Sequence, residues 1–431
     1  MYGQIRFKQT EIGKIPEDWE VEELKNVLEE KGYVRGPFGS ALRRNELKTE
    51  GIPVYEQEHA IYNSRKFRYH IDENKFRELS RFLVKEDDLI ISCSGTLGKV
   101  SMISKTDPKG IISQALLLLR PNINKILPRY LKYFFYSPKG FDALVSRSSG
   151  SVQVNLAKRE VIETIKLALP AITEQSHIVK ILSDLDSKIA LNHQTNRTLE
   201  AIGQALFKRW FIDFEFPNEE GKPYKSSGGE MVYSQELEKE IPKGWSVRKL
   251  GDYIQFMKGR KPKAVSDKWF EGYLQQILID TFNGGKPNYA NPEKMVIVET
   301  TEPIMVMDGA SSGRIEIGYC GIVGSTLSKV VVNSTSLTNS FLFHFLKTKE
   351  SDINLNPTGT SIPHTDKGRI NDYSFALPNK DLLLKFDIIA NQILHKIMHN
   401  KKEIITLSRI RDTLLPKLVS GEIRVKGGEN A

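Results

Sequence analysis

Hydrophobic positions along the chain follow two different rhythms. From Ile178 the core-type positions are Ile178, Leu182, Leu185, Ile189, Asn192, Asn196, Leu199, Gly203, Leu206 and Trp210. The steps alternate between three and four, close to the 3.5-residue period of a coiled coil. A later stretch repeats the pattern at Ile393, Ile397, Asn400, Ile404, Leu407, Leu414 and Leu418. Each predicts a helix of roughly forty residues, about 60 Å of rod at 1.5 Å per residue. A rod with one apolar seam needs a partner for it, and the nearest is the other copy. Leu185, Ile189, Asn192, Leu199, Ile393, Ile397, Asn400 and Leu407 are assigned to that seam. Outside these stretches apolar runs are short and broken by turns. "DLIISCSGTLGKV" (88–100) and "PIMVMDGASSGRI" (303–315) both read as strand, Gly-rich turn, basic residue, strand. "LPRYLKYFFYS" (127–137) and "LTNSFLFHFLKT" (337–348) are apolar at helical spacing.

These resemblances keep register. "IPEDWEVEEL" (15–24) returns as "IPKGWSVRKL" (241–250), and "IKLALP" ending at Pro170 returns as "YSFALP" ending at Pro378. From those prolines onward one fixed offset relates Ile181 to Ile389, Lys188 to Lys396, Asn192 to Asn400, Leu199 to Leu407, Ile202 to Ile410 and Leu206 to Leu414. A chance match would not hold without a gap over that length, so the chain is an internal duplication. Trp19 and Trp245 lie further apart than Pro170 and Pro378, which makes the first variable block the longer. The polar turns "SSGSVQVNL" (148–156) and "PTGTSIPHT" (357–365) complete the parallel.

The predicted order is a block over 1–170, a helix over 171–215, a linker over 216–240, a second block over 241–378, a second helix over 379–425 and a tail over 426–431. Each block reads as mixed α+β, with interleaved rather than strictly alternating elements, so a doubly wound parallel sheet is not expected. The linker is rich in Pro, Gly, Ser and Glu and long for a loop inside one domain. Tandem connectivity places the blocks symmetrically only if the helices run antiparallel about a pseudo-two-fold axis. Asn192 and Asn400 then hold equivalent seam positions; they either pair across the seam and fix its register or face solvent at its edge.

Composition narrows the function classes. The content is 39% hydrophobic and 27% charged, as in soluble globular proteins, and no apolar run approaches a membrane span. The first residues lack the apolar core of a secretory signal, and two cysteines without metal-ligand spacing suggest a reducing, intracellular setting. A net charge of +9 permits a polyanionic partner without demanding one. No phosphate loop is present: "GTLGKV" (95–100) has the wrong spacing. No GxGxxG opens a helix, and "NYANPEKM" (288–295) lacks the Pro-aromatic pair of an adenine methyltransferase. His395 and His399 share a helical face but have no third ligand, so no metal site is expected. Asp87–Asp88 lacks the Glu-x-Lys of a nuclease. The reading is a binding protein, with no catalytic residue.

Basic loops occupy matching places in both blocks. After the first repeat, "GYVRGPFGSALRR" (32–44) holds Arg35, Arg43 and Arg44; after the second, "MKGRKPK" (257–263) holds Lys258, Arg260, Lys261 and Lys263. "IYNSRKFRYH" (61–70) sets Arg65, Lys66 and Arg68 among Tyr62, Asn63 and Tyr69, and the Gly-rich turns carry Lys99 and Arg314. Such residues reach phosphates and base edges. Any one of them is equally at home in a solvated loop; their recurrence in one slot favours DNA binding for the loops as a class. Trp19 and Trp245, the tryptophans of the repeated strings, are expected to anchor the block cores rather than touch DNA.

The tandem order of block and helix, with each block opening on "IPxxW" and closing on "LP", resembles the specificity (S) subunits of type I restriction–modification systems. "LFKRWFIDFEF" (206–216), "GGEMVYSQELEKEIPKGW" (228–245) and "LLPKLVSGEIRV" (414–425) look like that family's connecting regions. The resemblance implies two target recognition domains, each reading one half of a split double-stranded DNA target, joined by antiparallel helices that act as a ruler. It implies docking of two methyltransferase subunits, assembly with restriction/translocase subunits, and a prokaryotic cytoplasm. S-adenosylmethionine, ATP and Mg would sit on the partner subunits, with no cofactor on this chain. Unequal blocks imply an asymmetric target, and a 60 Å rod spans roughly 18 base pairs at 3.4 Å each. A specificity subunit of a related two-part restriction–modification enzyme and a protein-binding coiled-coil adaptor remain the alternatives.

Overall fold

In the computed structural model, which describes residues 6–146 and 156–425, the chain divides into two compact units: Met1–Ile189 with Ile405–Ala431, and Ala190–Ile404. Each takes one block and a part of both long helices. The turn at 148–156 lies outside the described residues except for Leu156, as does the tail at 426–431.

The first unit is built on a four-stranded antiparallel sheet in the order Leu28–Arg35, Leu116–Pro121, Leu89–Ser92, Val100–Met102. Its "LLLL" run, Leu116 to Leu119, is buried without alternation because both faces of the sheet are covered. Leu117 and Leu119, with Leu89 and Ile91, meet Tyr130, Leu131 and Phe134 of the helix Pro128–Tyr136. Leu116, Leu118 and Ile90 face a second core with Tyr55 and Ile112, which belong to a small sheet ordered His70–Ile71, Ile52–Tyr55, Ile111–Ile112. The acidic pair at 87–88 is structural on its buried side. Asp88 is fully buried and accepts two hydrogen bonds from Arg120, at 2.8 and 2.7 Å. Burial raises its carboxyl above the ordinary value even though Arg120 opposes the shift.

The second unit repeats the scheme. Its sheet runs Ile254–Lys258, Leu327–Val332, Ile304–Val306, Ile315–Glu316, with the helix Asn339–Leu355 packed against it. A further four-stranded sheet includes one parallel pair, Leu274–Ile277 with Gly321–Val323. In both units the opening and closing strands of the block pair antiparallel: Glu20–Glu23 with Lys166–Leu169, and Ser246–Lys249 with Ser374–Leu377. This clasp explains why "IPxxW" and "LP" recur together, since they are the two ends of one ladder.

The long helices span Ile172–Phe207 and Lys380–Ser420. In the first unit Ile178 and Leu182 share a core with Leu415, Leu418 and Val419, and Asp186 accepts from Arg411 at 2.9 Å. In the second unit Asn192 donates to Glu403 at 2.9 Å and Asn400 donates to Asn196 at 2.8 Å. In each unit rising numbers on one helix meet falling numbers on the other, so the packing is antiparallel. Of the predicted seam, Asn192, Asn400 and Ile397 are buried, and Leu185, Ile189, Leu199, Ile393 and Leu407 are half-buried. Phe386 and Ala390 extend the seam earlier than the sequence pattern did. Asn192 and Asn400 do not pair with each other. Antiparallel packing sets each residue opposite the image of a different one, so each asparagine finds its own partner.

The repeated tryptophans sit where the clasp meets the helix ends. Trp19 is fully buried, and its indole N–H donates to Glu174 at 3.0 Å. Arg424 lies 5.7 Å from its ring and bridges Glu174 and Asp18 at 2.6–2.8 Å. Gly421 ends the second helix at φ +76°, where a Cβ would overlap the Pro16 ring. Trp245 is half-buried, stacked on Phe216 at 5.3 Å with Phe214 edge-on at 5.5 Å.

Candidate nucleic-acid interface

The basic loops leave equivalent ends of the two sheets. In the first unit Arg35 is level with Leu117, Ser92 with Leu116, and Ile91 with Val100, so the loops after Arg35 and Ser92 emerge at one end. In the second, Lys258 is level with Ser328, Val306 with Leu327, and Met305 with Ile315, which brings the loops after Lys258 and Val306 to one end in the same way. A glycine opens the basic loop in both. Gly36 N–H donates to Leu116 at 2.9 Å, and Gly259 N–H to Leu327 at 3.0 Å. A Cβ on Gly36 would overlap the Ser113 carbonyl oxygen, and one on Gly259 that of Gly324. No other residue lets the chain cross so near its neighbour, which fixes where each loop departs.

Most candidate side chains fall into two groups. Arg43, Arg44, Lys66, Arg68, Lys99, Arg260, Lys261 and Lys263 are exposed. Arg68 lies over the Tyr69 ring at 4.2 Å, and Lys99 lies 5.5 Å from the Phe141 ring. Arg65, Arg314 and Lys258 are held by ion pairs within the chain. Arg65 is held by Asp107 at 2.8 Å and by the Met102 carbonyl at 3.1 Å. Arg314 is held by Glu316 at 2.8 Å and Asn283 at 3.0 Å, and lines a cleft of about 470 Å³ beside the Lys347–Glu350 ion pair. Lys258, exposed, pairs with Asp308 at 3.0 Å. Arg35 is half-buried, with Nη1 lacking a hydrogen-bond partner.

Several residues that shape these loops escaped the sequence pattern. His59 is fully buried against Phe67, and its Nε2 lies 3.0 Å from the Lys66 carbonyl, a contact that requires the proton on that nitrogen. It therefore braces the 61–70 loop from inside. Asp308 joins Lys258 to His364, whose Nδ1 is 2.7 Å away. Burial alone would raise the Asp308 carboxyl, but hydrogen bonds from His364 and Lys258 hold it below the ordinary carboxylate value. Aromatics stand exposed among the charges: Phe38 and Tyr62 in the first unit, Trp269 and Phe270 in the second. Tyr62 belongs to the 61–70 pattern already read from the sequence; the other three had as their signal an aromatic within a basic, polar loop.

His395 and His399 are both exposed on the second helix. Among the described residues no three His, Cys, Asp or Glu side chains are placed to hold a metal, and no helix is long and apolar enough to cross a membrane. Cys93 is buried, which pushes its thiol up to about 12 and leaves it a core residue.

The type I restriction modification DNA specificity domain matches the chain twice, at residues 16–201 and 242–409. The type I restriction enzyme MjaIX specificity subunit of Methanocaldococcus jannaschii is 28% identical over 445 residues, covering 98% of each chain. The HindI specificity subunit of Haemophilus influenzae is 25% identical over 386 residues, covering 73% of this chain and 81% of that one. The crystal structure of a type I restriction–modification S subunit from M. genitalium shares the fold, with TM-score 0.60 at 15% identity over 97% of both chains. With the specificity domain present twice, once in each repeat, the chain belongs to the type I restriction–modification DNA specificity family, as a specificity subunit with two recognition domains.

Proposed function

We propose that each recognition domain reads one half of a bipartite, asymmetric DNA target through the loops at its sheet end, and that the chain itself performs no catalysis. The observation behind this is the shared exit: a glycine-gated basic loop at the same sheet end in both units, with different residues in each. A common scaffold with divergent loops is what two different half-sites require. The exposed set of Arg43, Arg44, Lys66, Arg68 and Lys99 serves the first half-site, and Arg260, Lys261 and Lys263 serve the second. Arg65 and Arg314 act by shaping the loops, given their carboxylate partners. The long helices set the spacer and dock two methyltransferase subunits. S-adenosylmethionine, ATP and Mg chemistry belongs to those partners and to the restriction/translocase subunits. The assembly works in a prokaryotic cytoplasm.

Selection of bound duplexes from a random pool tests this reading. Wild type should enrich two separated half-sites. Replacing Arg260, Lys261 and Lys263 by alanine should erase the second, leave the first, and reduce the salt slope by about one per lost phosphate contact. Matched heptad insertions within 192–196 and 400–404 should lengthen the spacer with both half-sites unchanged. Altered half-sites at the old spacing would refute the ruler.

A further inference from the structure

The second unit's basic loop, 259–273, ends in a feature that phosphate contact does not explain. Trp269 is 63% exposed and Phe270 53% exposed. Two adjacent large rings in solvent are costly, and on a soluble surface they mark a contact site. The loop around them is braced. Ser266 exchanges backbone hydrogen bonds with Tyr289 at 2.9 and 2.8 Å, and its hydroxyl accepts from the Lys268 N–H at 2.9 Å. On the far side the Tyr273 N–H donates to the Phe270 carbonyl at 3.0 Å, and the two rings meet edge-to-face at 5.5 Å. The aromatic pair is thus presented on a fixed turn. Its neighbours in the loop are Arg260, Lys261, Lys263 and Lys268 against Asp267 and Glu271, a basic balance that suits a polyanion.

Resting on the DNA-reading role proposed above, we propose that Trp269 and Phe270 are specificity determinants of the second half-site, packing on thymine 5-methyl groups in the major groove. The choice follows from what duplex DNA offers an apolar ring. Phosphates offer charge, deoxyriboses offer ring oxygens and C–H groups that are the same at every base pair, and base edges offer mainly hydrogen-bonding groups. The apolar group on the major-groove floor is the thymine methyl. Base faces are also apolar, but reaching them requires unstacking, which costs a few kcal/mol per step. A turn pinned at Ser266 and at Tyr273 is made to rest on a surface rather than to wedge one open. Phe38, 60% exposed, stands just beyond Gly36, so the basic loop of the first unit also carries an exposed ring, though nearer its start.

The test is a cycle with the full-length chain on its selected duplex. Each thymine of the second half-site is replaced in turn by uracil, which deletes only the methyl. For wild type, at least one replacement should weaken binding by about fourfold, the worth of one buried methyl. For W269A/F270A the same replacement should have no effect, while half-site one and the salt slope stay as in wild type. A half-site without thymine, or equal uracil sensitivity in both proteins, overturns the proposal. So does a rise in 2-aminopurine fluorescence at the contacted step, which would mean a wedge. Unchanged DNA binding with loss of a protein partner overturns it too, by making the rings a protein-docking site. Failure of wild type to select any second half-site would instead refute the underlying DNA-reading role.

Discussion

Trp19 and Trp245 occupy the same place in the repeat and are held by different physics. Trp19 is sealed from solvent, with its N–H on Glu174 and a guanidinium near its ring. Trp245 remains half-exposed in a nest of Phe211, Phe214 and Phe216. The partners correspond: in the register that relates Pro170 to Pro378, Phe216 answers to Arg424 and Glu174 to Leu382. One repeat stacks a ring on its tryptophan where the other places an ion-paired arginine. What the duplication preserves is the job of joining block to helix end, whereas the chemistry of the joint is free to change.

That contrast can be broken most forcefully at the tryptophans. Trp19→Ala should destabilise the first unit by about 3–5 kcal/mol, since it empties a fully buried site and leaves Glu174 with one donor fewer. Trp245→Ala should cost the second unit about half as much. Urea unfolding followed by hydrogen exchange in each unit measures both, and equal costs would contradict the difference in burial.

A second test uses pH. Where Tyr133 donates to Asp186 at 2.8 Å in the first unit, the second packs His344 on Gly203 and Gln204. Burial holds the His344 imidazole down at about 4, against an ordinary value near 6.5. A depressed histidine favours the fold while neutral. Its contribution is intact above pH 6.5 and drains away as pH falls toward 4, by about 3 kcal/mol in full. The second unit of wild type should therefore lose stability across that window, and His344→Leu should flatten this component. An unchanged profile would exclude His344 as the titrating group.

The smallest expected effects come from exchanging the stacking partners. Arg424→Phe should cost about 2 kcal/mol, because Glu174 and Asp18 lose their charged donor. Phe216→Arg should cost about 2 kcal/mol as well, because a buried ring loses its stack on Trp245 and a guanidinium with no carboxylate beside it takes its place. Hydrogen exchange again assigns each loss to its unit; a stabilising outcome for either would mean that the partners are interchangeable.

The helix seam and the loop exits were legible because both are periodic or repeated. Ile178, Leu182 and Ile397 fall at heptad spacing, and the Gly-basic loops return in step with "IPxxW". Other features leave no local trace. The partners of Asn192 and Asn400, Glu403 and Asn196, depend on axial register between two helices, which heptad spacing does not define. Arg65 and Arg68 look alike in "SRKFRYH", yet Asp107, far along the chain, takes only the first. His59 and Asp88 look like ordinary polar residues until the fold buries them.

The sequence by itself determined the duplication, the mixed α+β blocks, the two long seamed helices and the family to which they belong. Each is written as a pattern within one stretch or between two stretches in register, and local periodicity dictates which face is apolar. Tertiary structure alone decided which basic side chains stay exposed, which asparagine meets which partner, and why one repeated tryptophan is sealed beside an ion pair and the other stands half-exposed among phenylalanines. Those outcomes depend on residues hundreds of positions apart arriving within 3 Å, as Arg424 does at Asp18. At that range hydrogen-bond geometry and desolvation, rather than residue type, select the partner.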